Sequence, residues 1–237
     1  MANRNVVIVA AKRTPLGGFQ GQFSSLTASD IGSAAIKAAI EDGQVKPEQI
    51  ETVHFGCVLP AGQGQAPARQ AALKAGVPLS SPCNTVNKMC GSGMQAVIYG
   101  YQQILAGDAS CVIAGGMESM TNAPYLSSKY RAGLKMGHGD MIDHMFHDGL
   151  QDVKHGQLMG AFAEMCAEKY NFSREQQDDF AISSLERANS AISSGAFEAE
   201  ITPVVVKSRK GETTYTDDEQ PAKAAVDKIR KLRPAFK

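Results

Sequence analysis

Residues 84–118 contain the feature that most constrains the fold, a cysteine between a short approach segment and an amphipathic helix. The run Cys-Gly-Ser-Gly begins at Cys90, and a helix is predicted over residues 93–106 because large apolar residues recur there at helical spacing. These residues are Met94, Val97, Ile98, Tyr101, Ile104 and Leu105. A strand is predicted over residues 111–114. The pattern therefore places Cys90 at a strand-to-helix corner.

A cysteine at such a corner is a candidate nucleophile. The positive end of the helix dipole favours thiolate over thiol, whereas a free thiol, with a pKa of about 8.5, is only a few per cent thiolate at neutral pH. Gly91, Ser92 and Gly93 are small enough for backbone and substrate to approach closely, as at a nucleophile elbow with cysteine in place of serine. The alternative is a small core residue, since free cysteine is among the most buried residue types.

Strands and helices alternate through the first half of the chain. The first strand, at residues 5–10, is a continuous apolar run of the kind that is buried on both faces of a parallel sheet. A Thr27-x-x-Asp30 capping box opens a helix that ends before Gly43. The other predicted elements are a strand at 51–59, a helix at 65–74 and a short strand before Cys90. This alternation predicts an α/β fold with a mostly parallel sheet, helices on both faces and Cys90 beyond the carboxyl end of a strand.

The alternation stops at about residue 117. Residues 121–160 have no clean period and are rich in glycine, methionine and histidine, which is typical of a long functional excursion from the sheet. The remaining predicted elements are helices at about 158–169 and 173–194, the second with a Ser173-x-x-Gln176 capping box, an extended segment at 201–207, a polar turn at 217–219 and a short helix at 223–231.

Composition narrows the function classes. The 237 residues include 24 basic and 24 acidic side chains, so no global charge favours nucleic acid or an anionic membrane. There is no run of 18 apolar residues and no secretion leader before the first predicted strand. The five cysteines are odd in number and lack a C-x-x-C pair, so we predict one reactive and four structural thiols. We expect a cytoplasmic protein that binds neither nucleic acid nor membrane.

Four of the five histidines fall between residues 138 and 155, interleaved with aspartates. His144 and His147 would share one helical face, which suggests a metal site. Zinc, however, needs three or four fixed ligands in ordered surroundings, and glycines interrupt this region. We therefore predict a polar interface loop here, and no metal site.

Four motifs in order along the chain closely resemble segments of the thiolase family. NKMCGSGMQA surrounds Cys90, and GGMESMTNAPY follows at residues 115–125. VIVAAKRTPLGGFQG at residues 7–21 and KLRPAF at residues 231–236 also match the family's order. The resemblance therefore covers nearly the whole chain, and its motifs are long enough to be specific.

The resemblance implies a thiolase-like layered α/β fold with a mostly parallel sheet. An N-terminal α/β domain at residues 1–120 would carry the nucleophile. A loop domain at residues 121–237 would cover the active site and contribute to coenzyme A binding and oligomer contacts. The implied activity is that of an acetyl-CoA acetyltransferase, which forms or cleaves acetoacetyl-CoA through an acyl-Cys90 thioester. Coenzyme A thioesters are the implied substrates, with no separate cofactor, and a dimeric or tetrameric homo-oligomer is expected.

The same resemblance assigns four further residues to substrate binding. Leu150 and Met159 match pocket positions, and the methionine borders the acyl group in the biosynthetic members. Phe236 matches an aromatic residue near the pantetheine. Leu158 stands where acetoacetyl-type members often have histidine, at a pantetheine contact. From spacing alone, ordinary core packing is the alternative for Leu150, Met159 and Phe236.

Family members carry their acid and base groups in a C-terminal half, in a Gly-His-Pro segment and a second Cys-x-Gly segment that this sequence lacks. We therefore expect the second thiolase domain to be absent from this chain. Apolar surface would then be left uncovered, and the chain alone would not turn over acetoacetyl-CoA. The alternatives are a longer-chain 3-ketoacyl-CoA thiolase and a truncated, non-catalytic acyl-CoA-binding or assembly fragment. A condensing enzyme acting on carrier-bound acyl groups is disfavoured by the long segment after Met117.

Overall fold

Three parallel strands form the central sheet in a computed structural model that describes residues 5–237. They are β1 (Thr52–Gly56), β2 (Cys83–Val86) and β3 (Val112–Gly116). Strand β1 lies in the middle and pairs in parallel with both neighbours, which gives the order β2-β1-β3. The predicted α/β fold with a parallel sheet is confirmed.

The helices of this first half begin and end close to the predicted positions. They are α1 (Ala28–Asp42), α2 (Pro67–Lys74) and α3 (Ser92–Ala106). At the start of α1 the Thr27 hydroxyl accepts from the Asp30 N–H at 3.2 Å, and the Asp30 carboxylate accepts from the Thr27 N–H at 3.0 Å. This is the predicted capping box, and α1 ends at Gly43 as expected.

Both faces of the sheet are covered, as a parallel sheet requires. On one face, Val53 and Phe55 are buried in a core cluster with side chains of α1 and α2. On the other face, the His54 ring is hydrogen-bonded to Gln103 of α3 at 2.9 Å. The sheet is therefore the middle of three layers.

Helix α3 packs on the sheet through small residues. Its buried residues are Ser92, Ala96 and Gly100, and a Cβ on Gly100 would lie only 3.0 Å from the Val112 side chain. The large apolar stripe predicted from spacing is on the exposed side of the helix, where Met94 is 74% exposed. The expectation that apolar surface would be left uncovered is therefore confirmed.

The strand predicted at residues 5–10 is not formed, and this prediction was wrong. The segment has no strand partner among the described residues, and Ile8 is 80% exposed. A β-branched run becomes a strand only where a neighbour offers backbone hydrogen bonds and packing. The chain is instead held just beyond this segment, where Lys12 pairs with Asp42 at the end of α1, with 2.9 Å between Nζ and Oδ1.

The second half contains short strands and five further helical segments. They are β4 (Tyr125–Leu126), β5 (Ile142–Asp143), a π-helix (Met145–Leu150), α4 (Met159–Tyr170), α5 (Arg174–Ser193), β6 (Val204–Ser208), β7 (Gly211–Tyr215), α6 (Glu219–Lys223) and α7 (Val226–Ile229). Short 3₁₀ turns lie at Pro47–Gln49 and Tyr130–Ala132. The Ser173 capping box forms as predicted. Strand β7 was missed, although Gly211, with φ of 118°, marks the turn that pairs it with β6.

The β6–β7 hairpin packs back onto the first half of the chain. Val204 and Val206 form a second core cluster with Phe23, and the Phe23 and Tyr215 rings meet edge to face at 5.8 Å. The division of the chain into domains at residues 1–120 and 121–237 stays a prediction. None of the helices within residues 5–237 is long and apolar enough to cross a membrane.

A polar clamp of Arg13, Glu200, Asp218 and Glu219 joins the early loop to the late part of the chain. Arg13 donates to Glu200 at 2.5 Å and to both Asp218 carboxylate oxygens at 2.8 and 3.1 Å. Burial alone would raise the pKa of Asp218, but hydrogen bonds from Arg13 and from the backbone outweigh it and lower that pKa. The Asp218 carboxyl therefore keeps its charged form to a lower pH than an unpaired aspartate would.

Glu219 is the most strongly shifted carboxylate of the clamp. It accepts from Lys223 and from the N–H groups of Gln22 at 2.9 Å and Gly18 at 2.7 Å. These hydrogen bonds lower the pKa of Glu219 from 4.5 to about 2. The carboxylate thus bridges the 18–22 loop to the start of α6.

We predict that the clamp loses its stabilising effect in acid. A carboxylate with a lowered folded-state pKa stabilises the fold above its unfolded pKa, and the effect is lost as pH falls through the folded value. For Glu219 this window runs from 4.5 down to about 2. Thermal unfolding followed by circular dichroism should show a falling Tm in that window, with a smaller fall in Glu219→Gln.

The matched control is Glu212→Gln. Glu212 lies on β7, its side chain is 60% exposed, and it pairs with Lys207 at 2.9 Å. Its removal should therefore leave the fall of Tm with pH the same as in the native chain. Equal acid profiles for Glu219→Gln and the native chain would contradict the assignment.

Candidate active site

Cys90 lies in the loop between β2 and α3 with its side chain exposed. Gly91 is the residue that caps α3, so the cysteine directly precedes the N-terminal end of the helix. The first backbone N–H groups of a helix have no partner within it and carry its positive partial charge. The predicted corner beyond the carboxyl end of a parallel strand is therefore present.

Ser92 holds the backbone on both sides of Cys90. Its hydroxyl accepts from the Lys88 N–H at 2.8 Å and donates to the Met89 carbonyl at 2.6 Å. The Asn87 side chain adds a bond from the Met89 N–H at 3.0 Å. Sequence reasoning valued Ser92 only for its size and missed this role, which depends on a backbone conformation that composition does not reveal.

Met89 has a left-handed backbone, with φ of 50°. This conformation is uncommon for a residue with a side chain and costs free energy. It turns the chain just before Cys90, and the bonds to Ser92 and Asn87 hold it. The loop that carries the cysteine is thus constrained.

A glycine junction of Gly56, Gly93 and Gly116 lies behind the cysteine loop. A Cβ added to Gly116 would be 3.4 Å from the Gly93 Cα and from the Gly56 oxygen. The Met117 N–H donates to the Gly56 carbonyl at 2.9 Å. The ends of β1 and β3 therefore pack backbone against backbone on the first turn of α3.

Glu118 organises the loop that follows β1. Its carboxylate accepts from the N–H groups of Val58 at 2.8 Å and Leu59 at 3.1 Å. Burial, together with the negative charge of Glu118, raises the pKa of the Cys57 thiol to about 11. Cys57 therefore remains a thiol at neutral pH and is a structural residue. Sequence reasoning assigned no role to Glu118.

Two other cysteines are also held as thiols. Burial raises the pKa of Cys83 and of Cys111. The remaining one, Cys166, is exposed on α4. Cys90 and Cys166 are therefore the two exposed thiols of the five, and only Cys90 adjoins the N-terminal end of a helix.

The four residues assigned to substrate binding lie near one another. Leu150 ends the π-helix, and its neighbour Gln151 forms a β-bridge with Leu158. Met159 begins α4, and the Phe236 ring contacts Gly160 directly after it. Met159 and Phe236 are about half exposed, so they are not core residues. The role of this group in substrate binding stays a prediction.

His144 has a structural role in the histidine-rich loop. It is buried, its Nδ1 lies 2.5 Å from an Asp148 carboxylate oxygen, and its Nε2 accepts from the Ala61 N–H at 3.4 Å. Both ring nitrogens are thereby engaged. In the described part of the chain, no group of three or more histidine, cysteine or acidic residues is arranged to hold a metal.

Comparison with known proteins identifies the family. The thiolase N-terminal domain matches residues 6–237. Acetyl-CoA acetyltransferase 2 of Arabidopsis thaliana is 50% identical over 236 residues, covering 99% of this chain and 59% of the relative. Acetyl-CoA acetyltransferases of Schizosaccharomyces pombe and Pseudomonas aeruginosa are each 48% identical, covering 100% and 99% of this chain and 60% of each relative.

The fold is thus a parallel α/β domain with an exposed cysteine directly before a helix. The chain belongs to the thiolase family. It spans about three fifths of the length of the curated relatives that it matches.

We predict that the glycine junction tolerates a methyl group at one position and not at another. A Cβ on Gly56 would lie 2.8 Å from the backbone of Ser92 and Gly93, whereas a Cβ on Gly93 meets nothing nearer than 3.8 Å. Gly56→Ala should therefore lower the free energy of unfolding by about 1 to 3 kcal/mol. Gly93→Ala should change it by less than about 1 kcal/mol, and in the stabilising direction, because alanine favours a helix.

Urea unfolding of both variants measures the difference. A Gly56→Ala variant as stable as Gly93→Ala would show that β1 does not press on the first turn of α3.

Proposed function

We propose that this chain carries the acyl-accepting half of an acetyl-CoA C-acetyltransferase, which forms or cleaves acetoacetyl-CoA. The observation that carries the proposal is the exposed Cys90, held before the N-terminal end of α3 in a constrained loop. The names of the relatives support acetyl-CoA as the acetyl donor, and acetoacetyl-CoA is the compound that transfer of the acetyl group to a second acetyl-CoA would form.

In the first step the Cys90 thiolate attacks the carbonyl carbon of an acetyl-CoA thioester. A new carbon–sulfur bond forms, the tetrahedral oxyanion collapses, and the bond to the coenzyme A sulfur breaks. The leaving thiolate takes a proton, so the products are acetyl-Cys90 and coenzyme A. Backbone N–H groups around the cysteine are suited to stabilise the oxyanion.

In the second step the acetyl group passes to the α-carbon of a second acetyl-CoA, or back to coenzyme A in the reverse direction. Carbon–carbon bond formation needs a base to take the α-proton. We assign this base, and the acid that serves the leaving thiol, to polypeptide of the kind that the relatives have beyond the matched region. On this proposal the chain alone accepts an acetyl group but does not turn over acetoacetyl-CoA.

Substrate binding is assigned to the group around the start of α4. Leu150 and Met159 would line the pocket, with Met159 bordering the acyl group, while Leu158 and Phe236 would contact the pantetheine. A half-exposed methionine beside a half-exposed aromatic ring suits an apolar ligand. We further propose that the protein works in the cytoplasm as a homo-oligomer.

The test is intact-protein mass spectrometry after brief incubation with acetyl-CoA. We expect the native chain to gain the mass of one acetyl group and Cys90→Ala to gain none, because the acyl carbon bonds to that sulfur. Cys166→Ala is the matched control, since it removes the other exposed thiol, and it should be acetylated normally.

An adduct that survives in Cys90→Ala, or that disappears in Cys166→Ala, would overturn the assignment. So would the absence of any adduct on the native chain. Acyl-CoA thioesters of increasing chain length in the same assay test the longer-chain alternative, which predicts faster labelling by longer acyl groups.

A further inference from the structure

An imidazole ring is held in a fixed orientation at the tip of the short loop that joins the π-helix to α4. At the base of this loop Gln151 pairs with Leu158 in a β-bridge. Within it the Gly156 N–H donates to the Asp152 carbonyl at 2.8 Å. The loop is therefore closed by its own backbone, and His155 lies in the turn at its end.

Asp152 fixes both the orientation of this ring and the position of its proton. The Asp152 Oδ2 accepts from the His155 backbone N–H at 2.7 Å and lies 2.8 Å from Nδ1 of the ring. These two hydrogen bonds, the backbone one first, lower the pKa of Asp152. Because a carboxylate can only accept, Nδ1 carries the proton, and Nε2 of the neutral ring is then a hydrogen-bond acceptor.

Phe162 of α4 supports the ring from one side. The two rings meet edge to face, with 5.8 Å between their centroids and 64° between their planes, which is a favourable aromatic arrangement. The His155 side chain is nevertheless 52% exposed, and within residues 5–237 its Nε2 has no hydrogen-bond partner. The loop therefore presents one oriented acceptor that the chain itself does not use.

This acceptor lies next to the residues assigned to substrate binding. Phe162 follows Met159 by three residues in α4, so their side chains are neighbours on one face of the helix, about 4.5 Å apart along its axis. Leu158 ends the loop that carries His155. The ring therefore stands beside the proposed site for the acyl group and the pantetheine.

That site is otherwise apolar, since its members are Leu150, Leu158, Met159 and Phe236. The pantetheine arm of coenzyme A, however, carries amide groups. An amide that leaves water without gaining a hydrogen bond costs free energy. Ligand sites therefore combine apolar walls with a few precisely placed polar groups, and His155 supplies such a group here.

We propose that His155 binds the pantetheine arm of coenzyme A, with its Nε2 accepting a hydrogen bond from an amide N–H of the arm. Asp152 is the positioning residue that holds the ring for this contact. The inference rests on the proposed function, because it takes coenzyme A thioesters as the ligands. His155 makes no covalent bond in it and sets the affinity for the arm.

The test is isothermal titration calorimetry with coenzyme A, with pantetheine, and with the adenosine bisphosphate part of coenzyme A, which lacks the amide arm. His155→Ala should weaken the binding of coenzyme A and of pantetheine by about three- to tenfold, because one hydrogen bond is lost. Its affinity for the adenosine bisphosphate should be unchanged. The matched control is His138→Ala, which removes another exposed histidine of the same region and should bind all the probes normally.

Two amide variants separate a contact with the ligand from support of the loop. The longer glutamine side chain places its oxygen near the position of Nε2, whereas asparagine places its amide near Nδ1, against Asp152. His155→Gln should therefore bind pantetheine within about twofold of the native chain, and His155→Asn should bind it as weakly as His155→Ala. A ring that only held the loop through Asp152 would give the reverse order. Circular dichroism checks that each variant is folded.

Any of the following results would overturn the proposal: no binding of pantetheine by the native chain, normal pantetheine binding by folded His155→Ala, a loss of affinity for the adenosine bisphosphate in place of pantetheine, or tighter pantetheine binding by His155→Asn than by His155→Gln. Acetylation of Cys90 at saturating acetyl-CoA is measured on the same samples. A native chain that binds pantetheine through His155 but gains no acetyl group would count against the proposed function only.

Discussion

The close approach of backbones at Gly56, Gly93 and Gly116 is the constraint on which the rest of the structure depends. A side chain on Gly56 would collide with the start of α3, so the helix can approach the strand ends only because that position has none. Farther along α3, the small buried residues Ala96 and Gly100 let the helix stay close to the sheet. The cysteine loop, with its left-handed turn at Met89, leads from β2 to the start of this helix.

The same close packing determines what α3 presents to its surroundings. Because small residues occupy the side that faces the sheet, the large apolar side chains are left on the outside, where Met94, Val97 and Tyr101 are exposed. Such a contiguous apolar face is rare on a monomer and typical of a surface that binds another protein segment. The packing that positions Cys90 thus also turns the large apolar side chains of α3 outward.

Local signals in the sequence predicted the local structure well. The capping boxes at Thr27 and Ser173 and the glycine that ends α1 involve residues three or four apart, and each was confirmed. The position of Cys90 followed from helical spacing together with the family motifs. These features depend on neighbours in the chain, so a single sequence contains what is needed to find them.

Non-local partners account for the failures. Residues 5–10 have the composition of a buried strand, but a strand exists only where another pairs with it, and the space beside β3 is open. Glu118 was missed because its partners, the N–H groups of Val58 and Leu59, lie 60 and 59 residues away. The role of Ser92 depends on the backbone of Met89, which no spacing rule describes.

The cysteine loop and the open edge of β3 belong to different parts of the same sheet. The loop is held by Ser92, Asn87 and the glycine junction, all within residues that the chain itself provides. The edge of β3 faces the opposite way along the sheet from β2, which leads into that loop. Strand β1, which is fully buried, stands between the two.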